Sequence, residues 1–379
     1  MPFTFYFFLF TYMLRIGIDG RAFGSPAAGI RRYIRGLTRA LLALGEPLEI
    51  VLLGGRNSSA LPAGTAYIAE PPHPPTNLGW TLVGIPRAAR RARVDVIHAP
   101  AYTAPFWSPA PVVLTVHDVS YERHPQWYPY RRDWARRAFY RRSAYAASHI
   151  LTVSRFSAGE ITAAYRIPME RMTVTPLGVD EAFTPADPGV PEELPAGVTP
   201  PYVLHVGDLH ERRNLPMLVD ALLATWRQAP AVAPLSLVLA GTDRGVGEAI
   251  CGMAAQAGAP DAVRLLGTVT EKRLRALYRG ATALVYPSFY EGFGLPLIEA
   301  MACGTPVIAS RVTSIPEVVG DAGMLIDPAD TNAWTTAILE VAHDEHVRAR
   351  LRAAGLRRAA EFTWERTARL TLEAYRRVA

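Results

Sequence analysis

Short apolar runs alternate along the chain with longer amphipathic stretches. In the first half, the apolar runs predict strands at residues 15–18, 49–53, 94–98, 112–116, 150–153 and 172–174. In the second half, they predict strands at residues 202–206, 235–240, 263–266, 283–286, 306–309 and 323–326. The amphipathic stretches predict helices at residues 30–44, 133–147, 155–165, 215–228, 246–257, 271–279, 296–302, 314–319 and 331–358. Such alternation is typical of parallel sheets that are covered by helices on both faces.

A proline-rich stretch, residues 184–201, separates the two series. We therefore predict two doubly wound α/β domains, an N-terminal one over residues 14–190 and a C-terminal one over residues 191–360. The last segment, residues 361–379, is predicted to be helical and to pack back on the first domain. Ligands of doubly wound sheets bind at the carboxyl ends of the strands, so we expect the site in the cleft between the domains.

Residues 1–13 form an apolar, aromatic extension without charge. It is too short to span a bilayer and lacks the features of a secretory signal. We interpret it as an extension upstream of a true start at Met13. The alternative is a short anchor on a membrane surface.

Composition narrows the class of protein. Half of the 379 residues are hydrophobic and a fifth are charged, which fits a globular chain. Two cysteines are too few for a disulfide scaffold. The net charge is +6, and a single lysine, Lys272, leaves arginine to supply nearly all the positive charge. Such a basic surface could bind nucleic acid, anionic lipid or a phosphorylated small molecule.

The most informative motif runs from Glu291 to Glu299, directly after a predicted strand. Its glycines permit close approach of the backbone to a ligand, and Pro296 suits the first turn of a helix. The N–H groups of Phe293, Gly294 and Leu295 would then lie at a helix N-terminus, where anions bind. We expect Glu291 in the loop and Glu299 in the first helical turn, both able to accept hydrogen bonds from sugar hydroxyls. The alternative is a structural turn with a capped helix.

Three further segments follow predicted strands. Gly207, Arg212 and Arg213 lie in a loop that could turn under a diphosphate and neutralise it; a solvated basic loop is the alternative. His117 ends the strand 112–116. Gly29 lies in the loop between the first strand and the first helix, where a plain helix start is equally compatible.

These segments together resemble retaining glycosyltransferases of family 4, which have the GT-B fold of two Rossmann-like domains that face a cleft. The stretch 291–299 matches the family's E-x7-E motif, and residues 300–310 and 316–323 also look like the family. The segments around His117, Gly29 and residues 207–214 are similar as well, although Ala28 replaces a glycine, Arg213 replaces the usual Lys, and Asp208 stands where many members have Arg.

The resemblance implies a role for each site residue. Glu299 would hold the ribose, and Glu291 with the amides that follow it would hold the donor sugar. Arg212 and Arg213 would stabilise the diphosphate leaving group, with the division between them open. His117 would position the donor sugar near its reacting carbon. Gly29 would lie near the leaving phosphate.

The resemblance thus predicts a retaining hexosyltransferase that uses a GDP- or UDP-sugar, with mannose favoured, and a glycan or lipid-linked acceptor. No metal or other cofactor is expected. The alternatives are a non-catalytic scaffold of this fold and a sugar-nucleotide epimerase. Arginine-rich stretches at residues 87–93 and 131–142 could contact nucleic acid or an anionic membrane, although a plain solvated helix is the commonest outcome for such a pattern. The resemblance to the family, rather than the charge, favours the membrane, and a cytoplasmic location with contact at the inner membrane face would follow.

Overall fold

The computed structural model describes residues 13–54, 66–68, 76–128, 132–187, 193–228 and 235–379. Two parallel sheets organise the described chain. The first contains seven strands in the order β3-β2-β1-β4-β5-β6-β7. Their bounds are β1 Leu14–Asp19, β2 Leu48–Leu53, β3 Ala66–Ile68, β4 Val96–Ala99, β5 Val112–Thr115, β6 His149–Thr152 and β7 Met172–Val174.

The second sheet contains six strands in the order β10-β9-β8-β11-β12-β13. Their bounds are β8 Tyr202–Val206, β9 Ser236–Ala240, β10 Val263–Gly267, β11 Ala283–Tyr286, β12 Val307–Ser310 and β13 Met324–Ile326. All strand pairs in both sheets are parallel. Each order reverses beside its first strand, as in doubly wound folds.

Helices connect the strands. Those around the first sheet are α1 Ala28–Ala43, α2 Asn77–Gly79, α3 Ile85–Ala92, α4 Ser120–Arg123, α5 Trp134–Ala146 and α6 Arg155–Tyr165. Those around the second are α7 Leu215–Gln228, α8 Gly247–Gln256, α9 Glu271–Gly280, α10 Leu295–Ala302, α11 Ile315–Val319, α12 Thr331–His343 and α13 Glu345–Ala359. The last helix, α14, spans Trp364–Val378 and lies against α1, where Gly36 leaves room for the ring of Trp364.

The strand predictions are confirmed to within two residues at each end, because these strands are buried apolar runs with a clear pattern. The three-residue strand β3 and the helices α2, α3 and α4 were not predicted. One helix prediction, residues 331–358, is wrong. Asp344 takes an extended conformation there, and its carboxylate accepts hydrogen bonds from the N–H groups of His346 and Val347. It therefore caps a new helix and ends the preceding one.

The hydrophobic core continues from one domain to the other. One cluster of buried side chains contains Ile16 and Leu37 of the first domain together with Leu277 and Leu297 of the second. Phe183, in the connecting segment, belongs to the same cluster. The carboxyl ends of β5, β8 and β11 are brought together by this packing.

Candidate active site

The loop that contains Glu291 connects β11 to α10 and is held by hydrogen bonds from the Ser314 side chain. Ser314 donates from its Oγ to the carbonyl of Glu291 at 2.9 Å and to that of Phe293 at 3.3 Å. Gly294 has φ 102° at the helix N-cap, a conformation that favours glycine. The side chains of Phe293 and Leu295 are buried in the core, so only the backbone N–H groups of these residues are suited to hydrogen-bond a ligand.

Glu299 does not lie in the first helical turn, as expected, but in the second. The helix begins at Leu295, which makes Glu299 its fifth residue. Its side chain contacts Arg32 and Tyr278 instead of the residues around Glu291. The two glutamates of the motif therefore have different partners.

Glu291 lies between two arginines. Its Oε1 accepts from Nη1 of Arg213 and lies 3.1 Å from Nη1 of Arg212. Arg213 also donates to the hydroxyls of Tyr286 at 2.5 Å and Ser288 at 3.2 Å. Two guanidinium groups around one carboxylate leave a net positive charge, which is suited to an anion.

Burial and the neighbouring charge of Arg212 lower the pKa of Arg213 to about 10, and Arg213 is still cationic at neutral pH. Its buried Nε donates to no partner among the described residues. A buried donor without a partner lowers the stability of the fold, and a ligand that accepts its hydrogen bond would remove that cost. Gly207, at the end of β8, has φ 138°, and a Cβ there would lie 3.0 Å from Nη2 of Arg213. Because glycine has no side chain, it leaves room for the Arg213 guanidinium beside this loop.

His117 approaches from the end of β5. Its Nε2 lies 3.0 Å from the carbonyl oxygen of Pro100, so Nε2 donates and Nδ1 is left as an acceptor when the ring is neutral. Burial lowers the pKa of His117 and favours that neutral ring. The ring of Tyr33 packs edge-on against it at 4.9 Å between centroids. These contacts hold the His117 ring in one orientation, as is needed for a residue that orients a ligand.

Contacts between the two domains surround these residues. Ser154 and Ser157, at the start of α6, donate to the carbonyl of Gly292 at 2.7 and 3.2 Å. Glu317 of α11 accepts from the N–H groups of Arg155 and Phe156 at 2.9 to 3.3 Å. The described structure is thus closed over the site.

Glu299 makes its own contact across the cleft. Its Oε1 accepts from Nη1 of Arg32 on α1, and its Oε2 accepts from the hydroxyl of Tyr278 at 2.9 Å. Burial raises the pKa of Glu299, and Arg32 opposes that shift. Gly29 precedes Arg32 by three residues on the same helix, and apart from its chain neighbours and the helix backbone no described residue lies within 4 Å of where its Cβ would be.

The sequence did not indicate a role for Arg32, Tyr278, Glu317 or Ser157, whereas the segment that contains Ser154 resembles one that approaches the cleft in the family. Arg32 lies in the family-like segment around Gly29, and its spacing of three from Gly29 would place both residues on one helical face. Tyr278 lies outside the motifs, and Glu317 lies in the family-like stretch 316–323, but neither contact could be predicted because the partners are distant in sequence.

No group of three or more His, Cys, Asp or Glu side chains within the described residues could hold a metal ion. None of the helices in the described ranges is long and apolar enough to cross a membrane.

Comparison with known proteins identifies the class. A profile described as "Glycosyltransferase Family 4" matches residues 27–183, and one described as "Glycosyl transferases group 1" matches residues 190–358. The chain is similar to the O-antigen chain mannosyltransferase B of Escherichia coli, with 37% identity over 270 residues, or 70% of each chain.

Solved structures agree in fold. A sucrose-phosphate synthase from Thermosynechococcus elongatus superposes with a TM-score of 0.74 at 22% identity, covering 96% of this chain and 98% of that one. Anabaena HepE, solved in complex with UDP and glucose, gives a TM-score of 0.71 at 18% identity over 96% of this chain and 99% of that one.

The chain is a glycosyltransferase of family 4 with the GT-B fold. The family and fold class predicted from sequence are thereby confirmed.

Proposed function

We propose that this protein is a retaining hexosyltransferase that needs no metal. It would move a hexose, with mannose favoured, from a GDP- or UDP-sugar to a glycan or lipid-linked saccharide. The mannosyl preference is supported by the similarity to an O-antigen mannosyltransferase, and the nucleotide donor by the likeness in fold to a protein crystallised with UDP. The observation that carries the proposal is the Arg212–Arg213–Glu291 cluster, next to which the backbone of Gly292 closely approaches the carbonyl of His117 from the other domain.

The arginine pair would neutralise the diphosphate. As the bond between the sugar's anomeric carbon and the phosphate oxygen breaks, negative charge grows on the leaving group, and fixed cations stabilise it without reorganising. The unpartnered Nε of Arg213 is a ready donor for a phosphate oxygen. Arginine would thus supply the charge that a divalent ion provides elsewhere.

Retention requires that the acceptor oxygen attack the face from which the leaving group departs, or that a covalent intermediate form. Glu291 is engaged by both arginines, so it is poorly suited as a nucleophile. We therefore propose front-face attack, in which the acceptor's hydroxyl proton passes to the departing phosphate oxygen. Neutral His117 would orient the sugar through Nδ1.

Ligand-dependent thermal shift tests the donor. GDP, UDP, ADP and their common sugar conjugates are added to the protein with EDTA, and a ligand at 100 times its Kd should add about 2.7 kcal/mol of stability. We expect one base to stabilise wild type and Glu299→Gln to lose the effect. Glu340→Gln, an exposed change on α12, is the matched control. A folded protein that responds to no nucleotide would contradict the proposal and favour a scaffold.

Product analysis tests the reaction. With the stabilising nucleotide-sugar and a panel of saccharide acceptors, we expect a glycoside with the donor's anomeric configuration, assigned by NMR coupling constants. Inverted product would refute the retaining mechanism. Conversion of the donor to an epimer would instead indicate the epimerase.

We also propose contact with an anionic membrane. Trp134 at the start of α5 is 77% exposed and Trp107 is 64% exposed, with the guanidinium of Arg90 at 5.6 Å from the Trp107 ring. Exposed tryptophans beside arginines suit the interface of anionic lipid. We expect co-sedimentation with phosphatidylglycerol vesicles, loss in Trp107→Ser/Trp134→Ser, and no binding to phosphatidylcholine alone. Equal binding to both lipids would contradict charge-guided contact.

A further inference from the structure

An ion pair joins the two domains at the buried end of the cleft. Arg32 of α1 donates from Nη1 to Oε1 of Glu299, which belongs to α10 of the other domain. The Glu299 side chain is 1% exposed and that of Arg32 is 25% exposed. The guanidinium carbon of Arg32 also lies 5.5 Å above the ring of Phe183, in the segment that connects the domains. Arg32 is therefore fixed from two sides.

The carboxylate of Glu299 has acceptor capacity left over. An ionised carboxylate offers about four lone-pair positions, two on each oxygen. Within the described part of the chain, Arg32 occupies one position on Oε1 and Tyr278 one on Oε2. One acceptor position therefore remains on each oxygen. Two adjacent hydroxyl groups of one ligand, a vicinal diol, match that arrangement.

The charges around Glu299 show why Arg32 matters. Burial raises the pKa of Glu299, and Glu271 on α9 acts in the same direction. Arg32 is the largest opposing influence, and the Tyr278 hydroxyl adds to it. A buried carboxylate that loses its cationic partner is left uncompensated and tends to take up a proton. A protonated Glu299 would donate from one oxygen and could no longer accept from both hydroxyls.

We propose that Arg32 is a positioning residue for nucleotide recognition, holding the Glu299 carboxylate from the opposite domain so that both its oxygens accept the ribose diol. The inference rests on the proposed function, in which a nucleotide-sugar is the donor. Because Arg32 and Glu299 belong to different domains, the hold on the ribose depends on closure of the cleft.

The test compares two nucleotides that differ by one hydroxyl. The nucleoside diphosphate that stabilises wild type and its 2′-deoxy analogue are titrated calorimetrically into each variant. Wild type should bind the ribonucleotide about tenfold more tightly or better, because a hydrogen bond to a charged acceptor is lost in the analogue. In Arg32→Gln, that ratio should fall towards one. Arg32→Lys keeps the charge and should restore part of it.

Arg39→Gln is the matched control. Arg39 lies on the same helix and also makes an ion pair with another segment, at 3.2 Å to Asp180, but its side chain is 67% exposed. Its ribo-to-deoxy ratio should equal that of wild type. Tyr278→Phe removes the other contact to Glu299 and should lower the ratio in a second, independent way. Thermal melting establishes that each variant is folded.

Four outcomes would overturn the inference. If Arg32→Gln keeps the wild-type ratio, Arg32 does not orient Glu299 for the diol. If Arg32→Gln binds the ribonucleotide more tightly, Arg32 obstructs the subsite. If wild type binds the nucleotides without preferring ribose, the role of Glu299 itself is wrong while the proposed function stands. Failure of wild type to bind any nucleoside diphosphate would overturn the proposed function and this inference together.

Discussion

Gly292 marks the point where the two domains meet at the site. A Cβ at this position would lie 2.5 Å from the carbonyl oxygen of His117 and 2.9 Å from Cβ of Asp118. The φ of Gly292 lies outside the left-handed region, so the backbone itself would accept alanine. Gly292→Ala therefore changes one thing, the distance of closest approach between the loop and the end of β5.

The size of the effect follows from these distances. A carbon and a carbonyl oxygen settle at about 3.3 Å or more, so the surfaces would separate by about 1 Å. The same displacement would stretch the hydrogen bonds from Ser154 and Ser157 to the Gly292 carbonyl. A misplacement of about 1 Å between reacting groups can cost about 100-fold in rate, or about 2.7 kcal/mol.

The assay is steady-state transfer from the donor identified by thermal shift. We expect kcat/KM to fall about 100-fold in Gly292→Ala, with little change in the melting temperature because the substitution removes no apolar side chain from the core. Gly252→Ala, on α8, is the control, because no other described residue lies within 4 Å of the added Cβ. A folded Gly292→Ala that stays within about threefold of wild type would refute the steric argument.

Three further changes probe other parts of the molecule. Arg213→Lys keeps a charge but loses the planar contacts to Glu291, so turnover should fall at least about tenfold in the transfer assay. Gly36→Ala would place a Cβ 2.3 Å from the Trp364 ring, so urea unfolding should show about 1–3 kcal/mol less stability. His98 is buried with both ring nitrogens hydrogen-bonded and its pKa lowered to about 3. Since the unfolded chain takes up that proton first, stability should fall from pH 6.5 towards 3, by up to about 1.4 kcal/mol per pH unit, and His98→Asn should reduce the slope.

Controls for these changes are available in the chain. Arg244→Lys alters an exposed arginine that pairs with Asp208 at 2.9 Å and should leave turnover unchanged. Gly159→Ala, on α6, adds a Cβ with no described neighbour within 4 Å and should not destabilise. Turnover of Arg213→Lys equal to wild type, a fully stable Gly36→Ala, or flat stability between pH 6.5 and 5 would each contradict the corresponding argument.

The buried hydrogen bonds of His98 also bear on how the last helix is held. Its Nε2 lies 2.8 Å from Oγ1 of Thr115, and its Nδ1 lies 2.7 Å from the hydroxyl of Tyr375 on α14. Tyr33 reaches the same Thr115 hydroxyl at 2.9 Å and packs on His117. The C-terminal helix is thus connected through buried polar groups to the residue beside the candidate site.

Local patterns in the sequence determined the strands, most helices and the loops that carry the chemistry. The strands of both sheets are nearly continuous apolar runs, a pattern that parallel sheets require because both faces are covered. The loop from Glu291 to Leu295 and the arginine pair could be placed at the carboxyl ends of strands for the same reason. The error at residues 331–358 arose because Asp344 caps a helix inside a stretch whose pattern reads as continuous.

Tertiary structure decided which of these groups meet. Arg32 and Glu299 are 267 residues apart, and Ser154 and the Gly292 carbonyl are 138 apart, so no local period relates them. Their contacts depend on how two separately patterned domains close on each other. Burial was also decided at this level, because Glu299 and His98 have shifted pKa values only once the surrounding domains have excluded water. The sequence by itself determined the chemistry available at each strand end, and domain packing decided which partners each group has.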